Sequence, residues 1–572
     1  MNAVSTPVSA APRRTLSYPP DEASSRRRIL RYAVPRWMIE QAGARRLDGD
    51  WRGACAAANV DVAFDLADIA REHGGAVAAV VEDDLLHLAP DLLRWHLPRF
   101  LMGRTTIRNR QTITLAGYPR AAKAVQHLYV TTPTMVDGPQ RLLLRFGRID
   151  QDVSSGGGHL HALHDWTLLR HLWDARRTGA LLERHGGGER PPFLNADGTP
   201  RAAGDLPTAD PGPADPPARA EWATLLHERG EIEAALAAAG ITLDPAPLER
   251  RWGSRISPSP VLERLPLALT RLAPEIRLLT GEGFGHRFQI PNYWGHSMLL
   301  ESGKRGGELR IRIIDPKEFP GVPVLAEACW RRLPDLDALR HGDAVPDRLH
   351  PLVRDALFPL RQDSAHPVGP PDPRLPSPVQ VRCRGDWHEV CFQDGVLRMP
   401  HSADEQRREQ ALRAFGGAVA GCFAVAQAMA SGAGRLPKAL REQRRELYTR
   451  AQHGDTPGVL RLLDAGVDPR FRDGRHRTLL HALIHLDHEV LLPRLLAAGV
   501  DLEAVDSNQR TALHVAVGDN GPVALVRALL TAGADPDVTD DEGMSLSRLI
   551  HFRNRTDLGF LLALLDRDRS DG

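Results

Sequence analysis

Four groups of residues in this chain have types that could do chemistry. The run Ser154-Ser155-Gly156-Gly157-Gly158-His159 precedes a helical pattern, and amides at a helix N-terminus can cradle a phosphate. It lacks the Gly-Lys-Ser/Thr of a nucleotide-binding loop, so it reads as a plain flexible loop. His159, His161 and His164 lie close together, and His161 and His164 could share a helical face. A metal site needs a third or fourth ligand that the spacing does not name, so they read as surface histidines. Cys383, His388, Cys391 and His401 are of types that suit zinc, but their spacing matches no zinc finger. Strand alternation puts Cys383 on one face with Val379 and Val381, as a buried thiol. The loop Gly281-Glu282-Gly283-Phe284-Gly285-His286 with Tyr293-Trp294-Gly295-His296 joins two histidines to aromatics, and loops carry function. No Ser/His/Asp order or paired carboxylates can be argued, so no catalytic residue, metal ligand or cofactor is assigned. A closed polar pocket around His286, Trp294 and His296 is the condition under which residues 219–440 would be an enzyme or ligand-binding module with the C-terminal segment as its targeting arm.

The chain has 572 residues, which is too long for one core. Its 42% hydrophobic and 25% charged residues are those of a globular protein without membrane spans. No apolar run reaches the ~18 residues of a membrane span, and Met1–Pro20 has no apolar run of signal-peptide length. The formal net charge of +1 gives no bulk electrostatic case for nucleic acid. Lysine is confined to Lys123, Lys304, Lys317 and Lys438, and the other basic residues are arginines, as codon bias in a GC-rich genome would produce. The five cysteines are scattered and odd in number, which suits a reducing, cytoplasmic compartment rather than a disulfide framework.

The elements that would position these groups fall into segments. Residues 1–33 read as a disordered tail, rich in Ser, Pro and Arg. Residues 34–185 read as a mainly helical domain, with a strand pair at Thr112–Leu115 and Arg141–Phe146 and a final helix from about Leu160 to Arg184. Residues 186–218 read as an extended, mobile Pro/Gly-rich linker. Residues 219–440 read as an α+β module with a Pro-rich break at 367–378. Its clearest signals are a hairpin, Ser297–Glu301 with Leu309–Ile314, and a meander at Val379–Cys383, Trp387–Phe392 and Gly395–Met399. A long helix, Asp404–Ser431, would cover the meander.

Residues 441–566 repeat themselves. Thr478-Leu479-Leu480-His481-Ala482 returns as Thr511-Ala512-Leu513-His514-Val515, from 478 to 511, a step of 33. Leu495-Leu496-Ala497-Ala498-Gly499-Val500-Asp501 returns as Leu529-Leu530-Thr531-Ala532-Gly533-Ala534-Asp535, and an earlier copy starts at Leu462. This period and pattern resemble the ankyrin repeat, a β-turn followed by two antiparallel helices that must stack to bury their apolar stripes. The front segments and the Arg441–Glu446 entry also resemble ankyrin-repeat proteins of GC-rich actinobacteria. The fold expected is multidomain: mostly α-helical and α+β front modules, then an α-solenoid of about four ankyrin units, closed by a polar tail at 567–572.

The resemblance implies roles residue by residue. Thr478 and Thr511 sit where a hydroxyl caps the first helix, His481 and His514 where a ring ties neighbouring loops, and Gly499 and Gly533 where the second helix ends left-handed. The family's proline is Leu479 and Ala512 here, and its turn glycine is His476 and Gln509, while Gly543 keeps it. Partner contacts in the family fall on turn tips and on the ends of the first helices. Here these positions are Arg475, Arg477, His485 and Leu486, then Ser507, Asn508, Arg510 and Asp519, then Asp541, Glu542 and Met544. Tips running from basic to acidic would orient a partner of opposite polarity. The expected function is a protein-interaction adaptor or scaffold with another protein as partner.

Overall fold

The computed structural model describes residues 15–101, 103–120, 123–149, 162–250, 254–291, 295–303, 307–361, 367–393, 396–415, 420–431 and 434–570. It forms two compact units. The first holds the chain up to Thr132 and Leu142–Pro370; the second holds Pro133–Arg141 and the chain from Pro371 onward. Among the described residues, no helix is long and apolar enough to cross a membrane.

The first unit contains a five-stranded sheet of β1 (Val60–Val62), β2 (Gln111–Arg120), β3 (Lys123–Thr131), β4 (Leu142–Gly147) and β5 (Ala162–Asp165) in the order β1-β4-β3-β2-β5. The strands expected to pair, β2 and β4, are instead separated by β3, with Ile113 opposite Val130 and Val130 opposite Leu144. β3 was illegible because Leu128, Tyr129 and Val130 are all buried, so its alternation is lost. The helix expected from Leu160 is replaced by β5, which runs parallel to β2, and by turns leading to a short helix at Leu181–Arg184. His164, expected at the surface, is buried and hydrogen-bonds Gln111. The Ser154–His159 run and His161 lie outside the described residues.

Two segments expected to be loose are ordered. Pro20–Tyr32 is a helix that buries Ala23, Ile29 and Tyr32, and its Glu22 pairs with Arg331. Within 186–218, Phe193 and Leu194 are buried. The cause lies in the next helix, Pro216–Glu228: its buried Glu221 needs partners, and this stretch supplies Arg190 and the Phe193 amide, which donates at 2.7 Å. The stretch therefore joins the segments on either side rather than separating them. Trp95 Nε1 donates to Asp335 Oδ1 at 3.0 Å, and His350 Nε2 lies 2.9 Å from Asp91 Oδ2, so 34–185 and 219–362 share one core.

The same unit holds β6 (Ile241–Leu243), a two-stranded ribbon of β7 (Leu248–Glu249) and β8 (Arg255–Ile256), then β9 (Arg287–Pro291), β10 (Ser297–Ser302) and β11 (Leu309–Ile314). The second sheet has the order β6-β11-β10-β9. The expected hairpin is β10–β11, paired antiparallel with Leu300 opposite Ile311.

The second unit begins with the meander β12 (Val379–Cys383), β13 (Asp386–Gln393) and β14 (Val396–Arg398). The meander does not form one unit with residues 219–362. Its buried Val390 and Phe392 join the core of the repeats, where Phe392 meets Phe471 edge-on at 4.9 Å. The single helix expected over it is two helices, Ala403–Ala414 and Gly421–Ser431. Stacked helix pairs follow: Lys438–Gln452 with Thr456–Asp464, His481–His485 with His488–Ala497, Ala512–Gly518 with Val523–Thr531, and Leu546–Phe552 with Gly559–Ser570. The second pair opens with a 3-10 turn instead of an α-helix. That unit is one residue shorter between its threonine and its glycine (478 to 499, against 511 to 533), and a tighter helix takes up the difference.

Candidate protein-interaction surface of the repeat array

The turn tips are built three times from the same parts. Asp473 Oδ1 accepts from the amides of Arg475 (2.8 Å) and Arg477 (2.9 Å). Asp506 Oδ1 accepts from Asn508 (2.8 Å) and Arg510 (3.0 Å), and Asp540 Oδ1 from Glu542 (3.1 Å) and Met544 (2.8 Å). A short acid that holds two amides of its own turn fixes the turn without help from other segments. Consecutive tips are then stitched together: Ser507 N donates to Arg475 O at 2.8 Å, and Asp541 N to Asn508 O at 3.1 Å. The result is a row of pre-ordered tips, which a partner can meet with little ordering cost.

The stack behind the tips is tied by histidine. The Thr478 amide donates to His481 Nδ1 at 3.1 Å, and His481 Nε2 reaches Arg510 O in the next unit at 3.0 Å. Burial pushes the His481 imidazole down to about 4, so the ring stays neutral and keeps this pattern. Thr511 caps the third unit's first helix by accepting from His514 N at 3.4 Å. Gly466, Gly499 and Gly533 all have positive φ, at 92°, 74° and 95°. His476 and Gln509 occupy the turn position with φ of 61° and 55°, the conformation that Gly543 adopts at 69°. Side chains there carry strain that glycine would not.

The residues expected to meet a partner divide into three sets. Arg475, Ser507, Asn508, Asp541 and Glu542 are exposed on the tips, and Met544 is half-buried beside them. Arg477 and Arg510 are half-buried and committed to ion pairs with Asp473 (2.7 Å) and Asp506 (2.8 Å), so they brace the turns more than they present charge. Leu486 is buried in the core, because the shortened second unit turns it inward. His485 and Asp519 feel the charge of Asp137, in the Pro133–Arg141 segment that belongs to this unit. There Thr134 Oγ1 accepts from Asn520 Nδ2 at 3.4 Å, and Gly138 approaches Asp519 O so closely that a Cβ would sit 2.9 Å away. Burial pushes His485 down to about 4 and the Asp519 carboxyl up. That stretch of the array therefore already holds a turn of its own chain.

Three arginines were missed. Arg441, Arg444 and Arg445 on the first helix line an open groove of about 270 Å³ together with Tyr448, Thr449, Gln452, Asp473, Gly474 and Arg477. Positions 441, 444, 445 and 448 stand at i, i+3, i+4 and i+7, which is one face of a helix. That periodicity was present in the sequence and could have revealed the stripe.

Among the described residues, the two loop histidines differ in burial. His286 is half-buried, His296 is buried, and Trp294 lies outside the described residues. A cavity of the first unit lies apart from them, lined by His185, Thr224, Thr270, Arg271, Arg332 and Asp337 among others. Burial holds both His171 and His185, which stand edge to face, well below the usual imidazole value, so they pack as neutral rings. Of the suggested zinc-type residues, Cys383, His388 and His401 come together with Cys422, and Cys391 is not among them.

Helix pairs stacked in register with cross-linked turn tips define a helical-repeat solenoid. The family model for ankyrin repeats (3 copies) matches residues 447–540. A comparison with curated proteins found no match.

Proposed function

We propose that the chain is an adaptor whose repeat array holds a partner protein, with the basic groove at its start receiving an acidic segment of that partner. The observation that carries this reading is the groove itself. Arg441, Arg444 and Arg445 line it, with the Arg477–Asp473 ion pair at its side and Tyr448 as an aromatic wall. Guanidinium groups recognise carboxylates through paired N–H donors and stack on aromatic faces. Such a concentration of charge in a chain of net charge +1 is local, so it serves recognition and steering rather than solubility. The exposed tips at Ser507, Asn508, Asp541 and Glu542 extend the surface with the opposite polarity toward its far end.

The test is quantitative capture by the full-length chain, comparing wild type with the Arg441→Glu/Arg445→Glu pair. Both residues are exposed, so folding is expected to survive. The reading predicts a captured protein whose recovery falls at least about tenfold in the double variant, the order of two lost ion pairs at an interface. Equal recovery by both chains would remove the groove from the binding surface.

A further inference from the structure

Four metal-binding side chains from four separate segments converge in the second unit. Cys383 ends β12, His388 lies on β13, His401 precedes the helix Ala403–Ala414, and Cys422 stands in the first turn of the helix Gly421–Ser431. Cys383 Sγ is 3.6 Å from His401 Nε2, which is 3.1 Å from His388 Nδ1, which in turn is 3.6 Å from Cys422 Sγ. All four donor atoms lie within 4.8 Å of one another.

Three of these separations can be compared with the edges of a zinc tetrahedron, and the other three are at most 4.8 Å. Zinc bonds of about 2.3 Å to sulfur and 2.0–2.1 Å to nitrogen place a sulfur and a nitrogen about 3.6 Å apart and two nitrogens about 3.3 Å apart. The two sulfur–nitrogen distances of 3.6 Å and the nitrogen–nitrogen distance of 3.1 Å agree with these to within about 0.2 Å.

The backbone is shaped to allow this approach. A Cβ on Gly421 would sit 2.5 Å from Cys383 Sγ and 2.9 Å from Cys383 Cα, and Gly421 has a φ of +60°. Only glycine at 421 lets the helix start bring Cys422 against the end of β12. Both cysteines are buried. His401 turns its second nitrogen, Nδ1, toward Glu405 Oε2 at 3.7 Å. Glu405 is held by a reciprocal cap: Ser402 N donates to Glu405 Oε2 at 2.8 Å, and Glu405 N to Ser402 Oγ at 3.2 Å. A carboxylate fixed behind an imidazole is the usual outer support of a metal-bound histidine.

We propose that Cys383, His388, His401 and Cys422 bind one zinc ion in a closed, structural tetrahedral site. Two thiolates and two imidazoles select zinc over the oxygen-seeking cations. Four protein donors leave no position for water, so the ion holds structure and does not activate a nucleophile. On binding, both thiols release their protons and the two imidazoles stay neutral, so the dication is balanced by two thiolates. The ion ties the meander to the two helices that follow it, immediately before the repeats. Among the described residues, the buried apolar side chains of the meander and these two helices, cysteines aside, are Val379, Val381, Val390, Phe392, Val425, Ala428 and Met429, a small core to which a metal can add.

The test uses the full-length chain produced with zinc in the medium, desalted, and assayed for metal by elemental mass spectrometry. The proposal predicts about one zinc per chain. The Cys391→Ser control should keep it, and Cys422→Ser and His401→Asn should retain at least about tenfold less, in line with the loss of a ligand. A ligand variant that fails to fold would also lose metal, so the wild-type chain reloaded with cobalt(II) is the second readout. Tetrahedral d–d bands with a thiolate-to-cobalt charge-transfer band support the site. An octahedral cobalt spectrum, zinc retention no higher than in Cys422→Ser, equal zinc loss in Cys391→Ser, or recovery of Cys383 and Cys422 as a metal-free disulfide would each overturn it.

Discussion

His481 offers the sharpest test of how the repeats are held together. Its ring is 2% exposed and bridges the Thr478 amide to the Arg510 carbonyl of the next unit. His481→Leu keeps the bulk and removes these hydrogen bonds, together with the 3.0 Å contact of Nδ1 with Thr478 Oγ1. Each buried group left without a partner costs about 1–3 kcal/mol, so with the added apolar surface as a partial offset the expected loss is about 2–4 kcal/mol. The pH dependence gives a second, independent number. Burial lowers the folded-state value of His481 to about 4. In the unfolded chain a histidine takes up its proton near 6.5. Between these values the unfolded state binds more protons, so acid favours unfolding. Above about 6.5 the effect is absent; it grows by up to about 1.4 kcal/mol per pH unit and levels off below about 4, near 3 kcal/mol in total. The assay is hydrogen exchange of the full-length chain, followed through the helix Ala512–Gly518 at neutral and mildly acidic pH. Other buried histidines contribute their own slope, so the wild-type minus His481→Leu difference isolates this one. A variant within about 0.5 kcal/mol of wild type at neutral pH, or one with an unchanged acid slope, would refute the bridge.

Other perturbations test the stack at separate points. Leu513→Ala, at a fully buried position of the third unit, should cost about 2–5 kcal/mol in a urea titration followed by exchange of the array; a loss below about 0.5 kcal/mol would mean the repeat register is misplaced. Arg450→Ala should cost about 3–5 kcal/mol, because Arg450 Nε pairs with Glu446 at 2.9 Å and its Nη1 with Asp455 at 2.5 Å, and removing it takes the shared counter-charge from two buried carboxylates. Its Nη2 also reaches the carbonyl of Pro371, so exchange should rise near 371 as well as in the first helix. Gln509→Gly should stabilise the array by up to about 1 kcal/mol, since φ of 55° strains a side chain, and thermal unfolding should shift upward accordingly. A downward shift would mean that the Gln509 side chain makes a contact worth more than the strain.

The repeats were legible because they encode themselves locally. Each tip needs only an Asp, its next four residues and a left-handed position, and all of these lie within one short window. The hairpin β10–β11 was legible for the same reason. β3 was not, because a strand buried on both sides loses the alternation that marks it. The order of the 186–218 stretch is not legible in its composition, because it comes from Glu221, a buried acid outside the stretch that recruits Arg190 and the Phe193 amide. Leu486 looked like a contact residue under the family's spacing, but the shortened second unit draws it into the core. The four zinc-type side chains show the limit of spacing most plainly. Three were seen on the meander, but the fourth, Cys422, arrives from a helix beyond a long intervening segment, while the nearer Cys391 lies outside the cluster.

The most direct test of the interaction reading is a hydrogen-exchange footprint of the full-length chain with and without its captured partner. New protection is expected over the helix face of Arg441, Arg444, Arg445 and Tyr448 and over the tip at Asp473–Arg477. Protection confined to residues 15–132 and 142–370, with the groove and tips unchanged, would contradict it.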